Sequence, residues 1–322
     1  MLALTPTGID DKAVEVSEVP EPEPRADELV LQVEAFSVNR GETFLLANPK
    51  PGWRPGKDIA GTVVRAAADG TGPVVGTRIV GHPWVAGWAE RAVVPVASTA
   101  VLPDGVDVRT AAALPLAGIT ALRLLRKARA SYGDRVLITG ASGGVGHYFV
   151  ELAASAGVEV TAVSATQERG SRLRDLGARE VVTRVEDAEG VYDVVLESVG
   201  GDSLPVALSK VRADGRLIWF GQASRTAPRV DFFSFFAGPK EASIEHFDYT
   251  RSPRTYGEEL AVLVRLVDTG RLHPEIGLLD DWSRTAEAVQ ALRRREVRGN
   301  IVLSISTPGG PADGTAVAAA AA

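Results

Sequence analysis

Residues 135–151 read RVLITGASGGVGHYFVE: a short apolar run, glycines at 140, 143, 144 and 146, then an amphipathic stretch. An apolar run of this length closed by glycines predicts a buried strand and a tight turn. Behind the turn, Val145, Phe149, Leu152, Ala153 and Ala156 share one helical face that can pack on a sheet. Strand, glycine turn and helix in this order make a phosphate cradle. Glycine lets backbone amides approach the ligand, and the helix N-terminus adds free N–H groups and partial positive charge. The literal G-x-G-x-x-G pattern is broken: with its last two glycines on Gly143 and Gly146, Ala141 stands in the first place. A tight turn that binds nothing is the plainer alternative, and the surrounding sequence weighs against it.

That surrounding sequence alternates helix and strand. AAALPLAGITALRLLRKA (111–128) reads as helix, RVLITG as strand, GHYFVELAASAG as helix, VEVTAVS as strand and ERGSRLRDLGA as helix. YDVVLESVG and GRLIWFG add strands around a helix SLPVALSKV. Strands separated by helices of this length imply right-handed crossovers and a doubly wound parallel sheet. Upstream the rhythm differs. Glu28 to Ala35 alternates apolar and polar residues, and IAGTVVRA, TRIVGH and AERAVVPV are valine-rich runs between Gly, Pro and Asp clusters, the pattern of a small antiparallel barrel or sandwich. Past Tyr256, YGEELAVLVRLVDTG and WSRTAEAVQALRRRE read as helices, and GNIVLSI as a closing strand that can return to the first domain. The low-complexity tail 307–322 offers little apolar surface and is expected to be disordered.

Composition narrows the function classes. A formal charge of −6 disfavours nucleic acid as the main partner, since neutralising phosphates needs a basic face. With no cysteine, thiolate zinc, iron–sulfur and cysteine-nucleophile chemistry are excluded. His82, His147, His246 and His273 are scattered, so no metal is expected. No apolar run nears the roughly 20 residues of a membrane helix, and no signal peptide is evident; a cytoplasmic protein is expected.

The end of the second strand bears on the cofactor. An NAD site places an acid about 20 residues beyond the glycines, whereas an NADP site avoids that charge and supplies a cation. Here Ser164, Thr166 and Arg169 are small or cationic, which favours NADPH, with a solvated helix arginine as the alternative for Arg169.

The segments VEAFSVNRGE, PGKDIAGTVV, GWAERAVVP, LPDGVDVRTAAALPLAGITALRLL, GDRVLITGASGGVGHYFVELA, LGAREVV, YDVVLESVGG, GRLIWFGQAS and RGNIVLSI, running from Val33 to Ile305, resemble in order the medium-chain dehydrogenase/reductase superfamily, in particular its zinc-independent quinone oxidoreductase branch. The resemblance implies an α/β chain with a chaperonin-ten-like β-barrel catalytic domain (1–113 and 272–306) and an inserted Rossmann domain (114–271), the cofactor lying between them. Zinc-dependent relatives would carry a ligand cysteine at Asn39 and Gly-His-Glu at Gly56, Lys57 and Asp58; both ligand positions are lost here. The short connection from Val94 to Val101 leaves no room for a four-cysteine zinc lobe. Without Lewis acid help, the accessible reaction is hydride delivery to an already electrophilic quinone or α,β-unsaturated carbonyl.

By the family pattern, Asn39 and Thr120 approach the nicotinamide, Ser142, Gly143, Gly144 and Val145 hold the pyrophosphate, and Ser164 and Arg169 meet the adenosine end. Gly221 and Gln222 lie on the nicotinamide-ribose side and Asn300 at the amide end. Asn39 as a turn cap and Thr120 as a helix threonine bonding its own backbone are the bland alternatives. Phe44, Trp53, Trp84 and Tyr249 are expected to line a substrate pocket, and DFFSFFAG from Asp231 either lids it or packs in a core or subunit contact. ASIEHFDY (242–249) is expected to be an edge strand pairing with its symmetry mate in a homodimer. Two competing functions remain open: an enoyl-thioester reductase, which needs a basic entrance, and a non-catalytic NADPH-binding sensor or partner protein.

Overall fold

The computed structural model describes residues 1–305; the expected disorder of the tail lies outside the described residues. Two sheets organise the chain. The first is a wholly parallel six-stranded sheet in the spatial order Glu180–Val182, Glu159–Val163, Arg135–Thr139, Tyr192–Glu197, Val211–Trp219, Ser243–His246. Chain order reverses between Arg135–Thr139 and Tyr192–Glu197. In a doubly wound sheet the ligand crevice opens at that switch, beyond the carboxyl ends of the strands.

Helix Gly144–Ser155 packs on this sheet through Phe149 and Ala153, both fully buried, and on helix Pro115–Ala128. Ala141, the residue that breaks the glycine fingerprint, is also fully buried, and its N–H bonds Val163 O at 3.0 Å. Its methyl group therefore faces packed side chains, where a Cβ is an asset.

The second sheet has seven strands and turns on one long member, Glu28–Val38. One edge of that strand pairs antiparallel with Ile59–Arg65; the other takes Arg91–Pro95 against residues 28–32 and then Asn300–Ser304 against residues 35–38. Arg78–Gly81 and Thr99–Val101 extend the sheet on one side and Ile276–Asp281 on the other. The closing strand thus returns across more than 260 residues to the N-terminal sheet, as its lack of a following helix implied. Alternation along Glu28–Val38, shifted by one residue at the irregularity between Val33 and Ala35, aims Leu29, Leu31, Val33 and Phe36 into one core with Ile59, Ile79, Val94 and Leu303. Trp88 stacks on Phe36 at 5.3 Å and its indole N–H donates to Ser37 O at 3.0 Å. Burying that ring stabilises by about 2–3 kcal/mol and pins the strand end from which Asn39 emerges.

Several elements differ from the sequence reading. The helix expected over 111–128 is two, Val108–Ala112 and Pro115–Ala128, because Pro115 has no N–H to continue the first and suits the opening turn of the second. The helix expected from Trp282 begins at Thr285, after a single 3-10 turn. An N-terminal hairpin, Leu2–Pro6 with Val14–Glu18, and helix Arg40–Ala47 were not anticipated. Of the phenylalanines in DFFSFFAG, Phe232, Phe233 and Phe236 are exposed and touch one another, and only Phe235 packs on the sheet core. Core packing therefore describes one ring of the four. Among the described residues no helix is long and apolar enough to cross a membrane.

Candidate active site

The glycine turn is shaped for close approach. A Cβ on Gly146 would sit 2.4 Å from Ala141 O, so only glycine lets this helix meet its strand so tightly. Gly143 is the N-cap of helix Gly144–Ser155, and Val145 stands in the first turn. Its neighbour in space is the C-terminal strand: Gly299 N–H donates to Ser142 O at 2.9 Å, and a Cβ on Gly144 would lie 2.7 Å from Asn300 Oδ1. Asn300 therefore reaches the glycine turn itself, with Nδ2 also 3.4 Å from Tyr148 Oη.

His147 clips this turn to the segment before residue 276. Glu275 N–H donates to Nε2 at 3.0 Å, so the ring proton sits on Nδ1, facing Gly143 O at 3.2 Å. Burial pushes the imidazole down to about 4, keeping it neutral.

At the end of the next strand, Ser164 is fully buried and its hydroxyl donates to Thr166 O at 3.1 Å, so it fills space without charge. Arg169 reaches across to the C-terminal segment, donating to Arg295 O and, at 2.8 Å, to Val297 O. Its Nε, and that of Arg40, are buried with no partner among the described residues. Burial first, and then the charge of Arg295, push both guanidinium groups below the usual arginine range, with Arg169 adding to the effect on Arg40 and Arg298 to that on Arg169. Crowded, partly desolvated cations with unused N–H groups fit an anionic ligand. Sequence reading had found Arg169 but not Arg40 or Arg295, which join it only in three dimensions.

Gly221 and Gln222 lie just past strand Val211–Trp219, with Trp219 Nε1 donating to Gly221 O at 2.6 Å. Arg225, in the same loop, stands 5.2 Å from the Phe44 ring centre, with Arg40 at 5.9 Å from that ring. Phe44 thus sits between Arg40 and Arg225 at the cation cluster, with no ring contact to Trp84 or Tyr249 among the described residues.

Asp58 organises the opposite wall. It is fully buried and accepts four hydrogen bonds: from Ser37 Oγ and Asn39 Nδ2 at 2.6 Å each, from Leu116 N at 2.9 Å, and from His82 Nδ1 at 3.2 Å. Leu116 opens the helix that carries Thr120, which is buried one turn on. Asn39 also caps helix Arg40–Ala47, its N–H donating to Glu42 Oε2 at 3.0 Å, while Glu42 Oε1 takes the Gly56 N–H at 2.9 Å. Burial, then the charge of Asp58, raises the Glu42 carboxyl to about 7. The N-x-x-E spacing at 39–42 was the sequence signal for this cap; nothing local marked Asp58 as the hub.

Outside Asp58 lies an aromatic niche. Lys57 Nζ donates to Tyr249 Oη at 3.0 Å and stands 5.4 Å from the Tyr249 ring centre and 5.8 Å from that of Trp84. Tyr256 meets Trp84 edge-on at 5.5 Å. The structure thus unites Trp84 and Tyr249 but places Trp53 elsewhere, half-buried on the core of the seven-stranded sheet. Buried Arg123, bonded to Glu259 at 2.6 Å and to Tyr249 O, fixes the niche to the Thr120 helix. No three His, Cys, Asp or Glu side chains among the described residues are grouped to hold a metal ion.

A parallel sheet with a glycine-lined turn at its switch point, facing a polar wall on a second sheet, fits the dinucleotide-binding class of oxidoreductases. Comparison with known proteins agrees. A family model described as zinc-binding dehydrogenase matches residues 176–303. The quinone oxidoreductase of Rattus norvegicus is 30% identical over 291 residues, covering 84% of this chain and 87% of the relative. A polyketide synthase of Streptomyces halstedii is 31% identical over 268 residues, 81% of this chain but 5% of that protein. Among solved structures, a mycobacterial protein in complex with NADPH shares a TM-score of 0.85 and 27% identity, covering 94% of this chain and 99% of that one. The chain belongs to the medium-chain dehydrogenase/reductase superfamily, in its quinone oxidoreductase-like branch.

Proposed function

We propose that this protein is an NADPH-dependent reductase that delivers hydride to a quinone or an α,β-unsaturated carbonyl without zinc. The observation that carries it is the hydrogen bonding of Asp58. Its two oxygens already accept bonds from an amide side chain, a hydroxyl, a backbone N–H and an imidazole. Where zinc-dependent relatives would present anionic sulfur and imidazole nitrogen to a cation, this wall presents the Asn39 amide and the Lys57 ammonium, and an ammonium repels a metal ion.

The glycine turn, the first turn of helix Gly144–Ser155 and Asn300 suit a dinucleotide pyrophosphate. Arg40, Arg169 and Arg295 suit the extra phosphate of NADPH, with uncharged Ser164 where an NAD site would place an acid. The mycobacterial neighbour solved with NADPH supports the same choice. When bound, the dihydronicotinamide supplies the hydride. Asn39, held by Asp58, and Thr120 position the reacting ring, and Trp84 and Tyr249 receive a flat conjugated acceptor. Phe44 would lie at the cofactor end of the cleft and Trp53 would support the wall from behind. The division into a catalytic unit (1–113, 272–306) and a cofactor unit (114–271) belongs to this reading, as does homodimerisation through strand Ser243–His246. That strand pairs with Val211–Trp219 on one side only among the described residues. Sedimentation at micromolar concentration should give a dimer.

Reduction of enoyl thioesters is a second reading, favoured by the similarity to a polyketide synthase and by a cavity of about 410 Å³ where Arg123, Arg126, Lys127, Arg251 and Arg254 outnumber Asp248 and Glu259. Following NADPH oxidation across quinones, enones, enoyl thioesters and simple ketones separates the two. Binding of NADPH without turnover of any acceptor would leave the sensor reading instead.

A further inference from the structure

The hydrogen bond between Lys57 and Tyr249 has a direction. A protonated lysine has three donors and no lone pair, so Nζ donates and Tyr249 Oη accepts. The phenol proton is then left to be given elsewhere. Lys57 Nζ stands 5.8 Å from the Trp84 ring centre and lies off the hydroxyl edge of Tyr249. Tyr249 is fixed from behind by Arg123, one turn beyond Thr120, and Lys57 adjoins Asp58, which holds Asn39. The pair therefore stands on the same wall as the two groups assigned to the nicotinamide.

We propose that Tyr249 is the proton donor that completes reduction and that Lys57 restores its proton; this rests on the enone or quinone reductase reading. The dihydronicotinamide, when bound, would supply hydride to the β carbon, and the displaced C=C π pair would rest on the enolate for this chain's own acid to quench. The Tyr249 O–H bond breaks as a new C–H bond forms at the α carbon. The phenolate takes a proton from Lys57 Nζ, whose ammonium stabilises that anion until transfer, and water recharges the amine. One solvent proton and one hydride are consumed per saturated product.

The test is the reduction of an α-methyl enone by the full-length protein with NADPH. Wild type should give a single α-epimer. Y249F should retain NADPH binding by fluorescence titration, lose about 100-fold in kcat, and give a mixture of epimers as water protonates both faces. K57A should lower kcat with KM changed less than threefold, and added methylamine should restore turnover to K57A and not to Y249F. The K57A outcomes stand even if Y249F folds poorly. A single epimer and more than a third of the wild-type rate from folded Y249F, or no amine rescue of K57A, would overturn the proton-relay assignment alone. A wild-type protein that binds NADPH but reduces neither enones nor quinones would overturn the reductase reading and the assignment with it.

Discussion

Replacing Asp58 by asparagine is a sharp test of how the cleft wall is held. The carboxylate accepts Leu116 N and His82 Nδ1 on Oδ1, and Ser37 Oγ and Asn39 Nδ2 on Oδ2. An amide keeps one acceptor oxygen and turns a donor toward whatever faced the other. Leu116 N–H cannot reverse its role, so the oxygen stays on that side and the new NH2 faces Ser37 and Asn39. Ser37 can rotate to accept, but Asn39 must flip its own amide. With the charge gone and the contacts rearranged in a fully buried site, D58N should cost about 1–3 kcal/mol. For a chain of this length that is a fall of roughly 1.5–4.5 °C in Tm. The flip also turns the Asn39 carbonyl toward Asp58's replacement, so kcat/KM should drop further than stability alone explains. D58A, which removes both acceptor oxygens and all four hydrogen bonds, should be worse on both counts. Calorimetric melts and NADPH oxidation on the same samples read the two effects. A D58N protein with wild-type Tm and wild-type kcat/KM would refute the hub.

Other outcomes follow from the same geometry. G146V should abolish NADPH-induced thermal stabilisation, since its side chain must displace backbone that glycine leaves 2.4 Å from a Cβ; unchanged stabilisation would contradict the cradle. Glu42, raised to about 7 from 4.5, holds its proton more tightly folded than unfolded. Stability contributed by this group is therefore fully present below about pH 4.5 and falls as pH rises to about 7, by on the order of 3 kcal/mol at most. Denaturant melts of E42Q against wild type across that range should show the slope lost. R169A should weaken NADPH by about 10-fold or more while changing NADH little, read by fluorescence titration; equal losses would remove the arginine cluster from cofactor choice.

What the sequence discloses and what it hides divides by distance along the chain. The turn at 140–146 is legible because strand, glycines and helix are contiguous, and their spacing carries the physics. The broken helix at Pro115 was legible in principle, since the proline marks it. Strand Ile276–Asp281 was hidden because Gly277, the adjacent Leu278 and Leu279, and two closing acids leave no alternating pattern in the sequence. Helix Arg40–Ala47 is too short for periodicity to show. The site beyond the turn rests on pairs that no local pattern reports: Lys57 with Tyr249, 192 residues on, and Arg169 with Val297, 128 residues on. Trp53 and Trp84 looked equivalent in sequence, yet one packs on a core and the other faces the niche.

Metal-free hydride transfer to conjugated acceptors is tested most directly by one assay. The protein is dialysed against a strong chelator, its zinc content measured, and NADPH oxidation followed at 340 nm with a quinone, an enone and a simple ketone. Full activity on quinone or enone in zinc-free protein, with little on the ketone, is the expected result. Activity that tracks zinc content, or that is confined to the simple ketone, would contradict it.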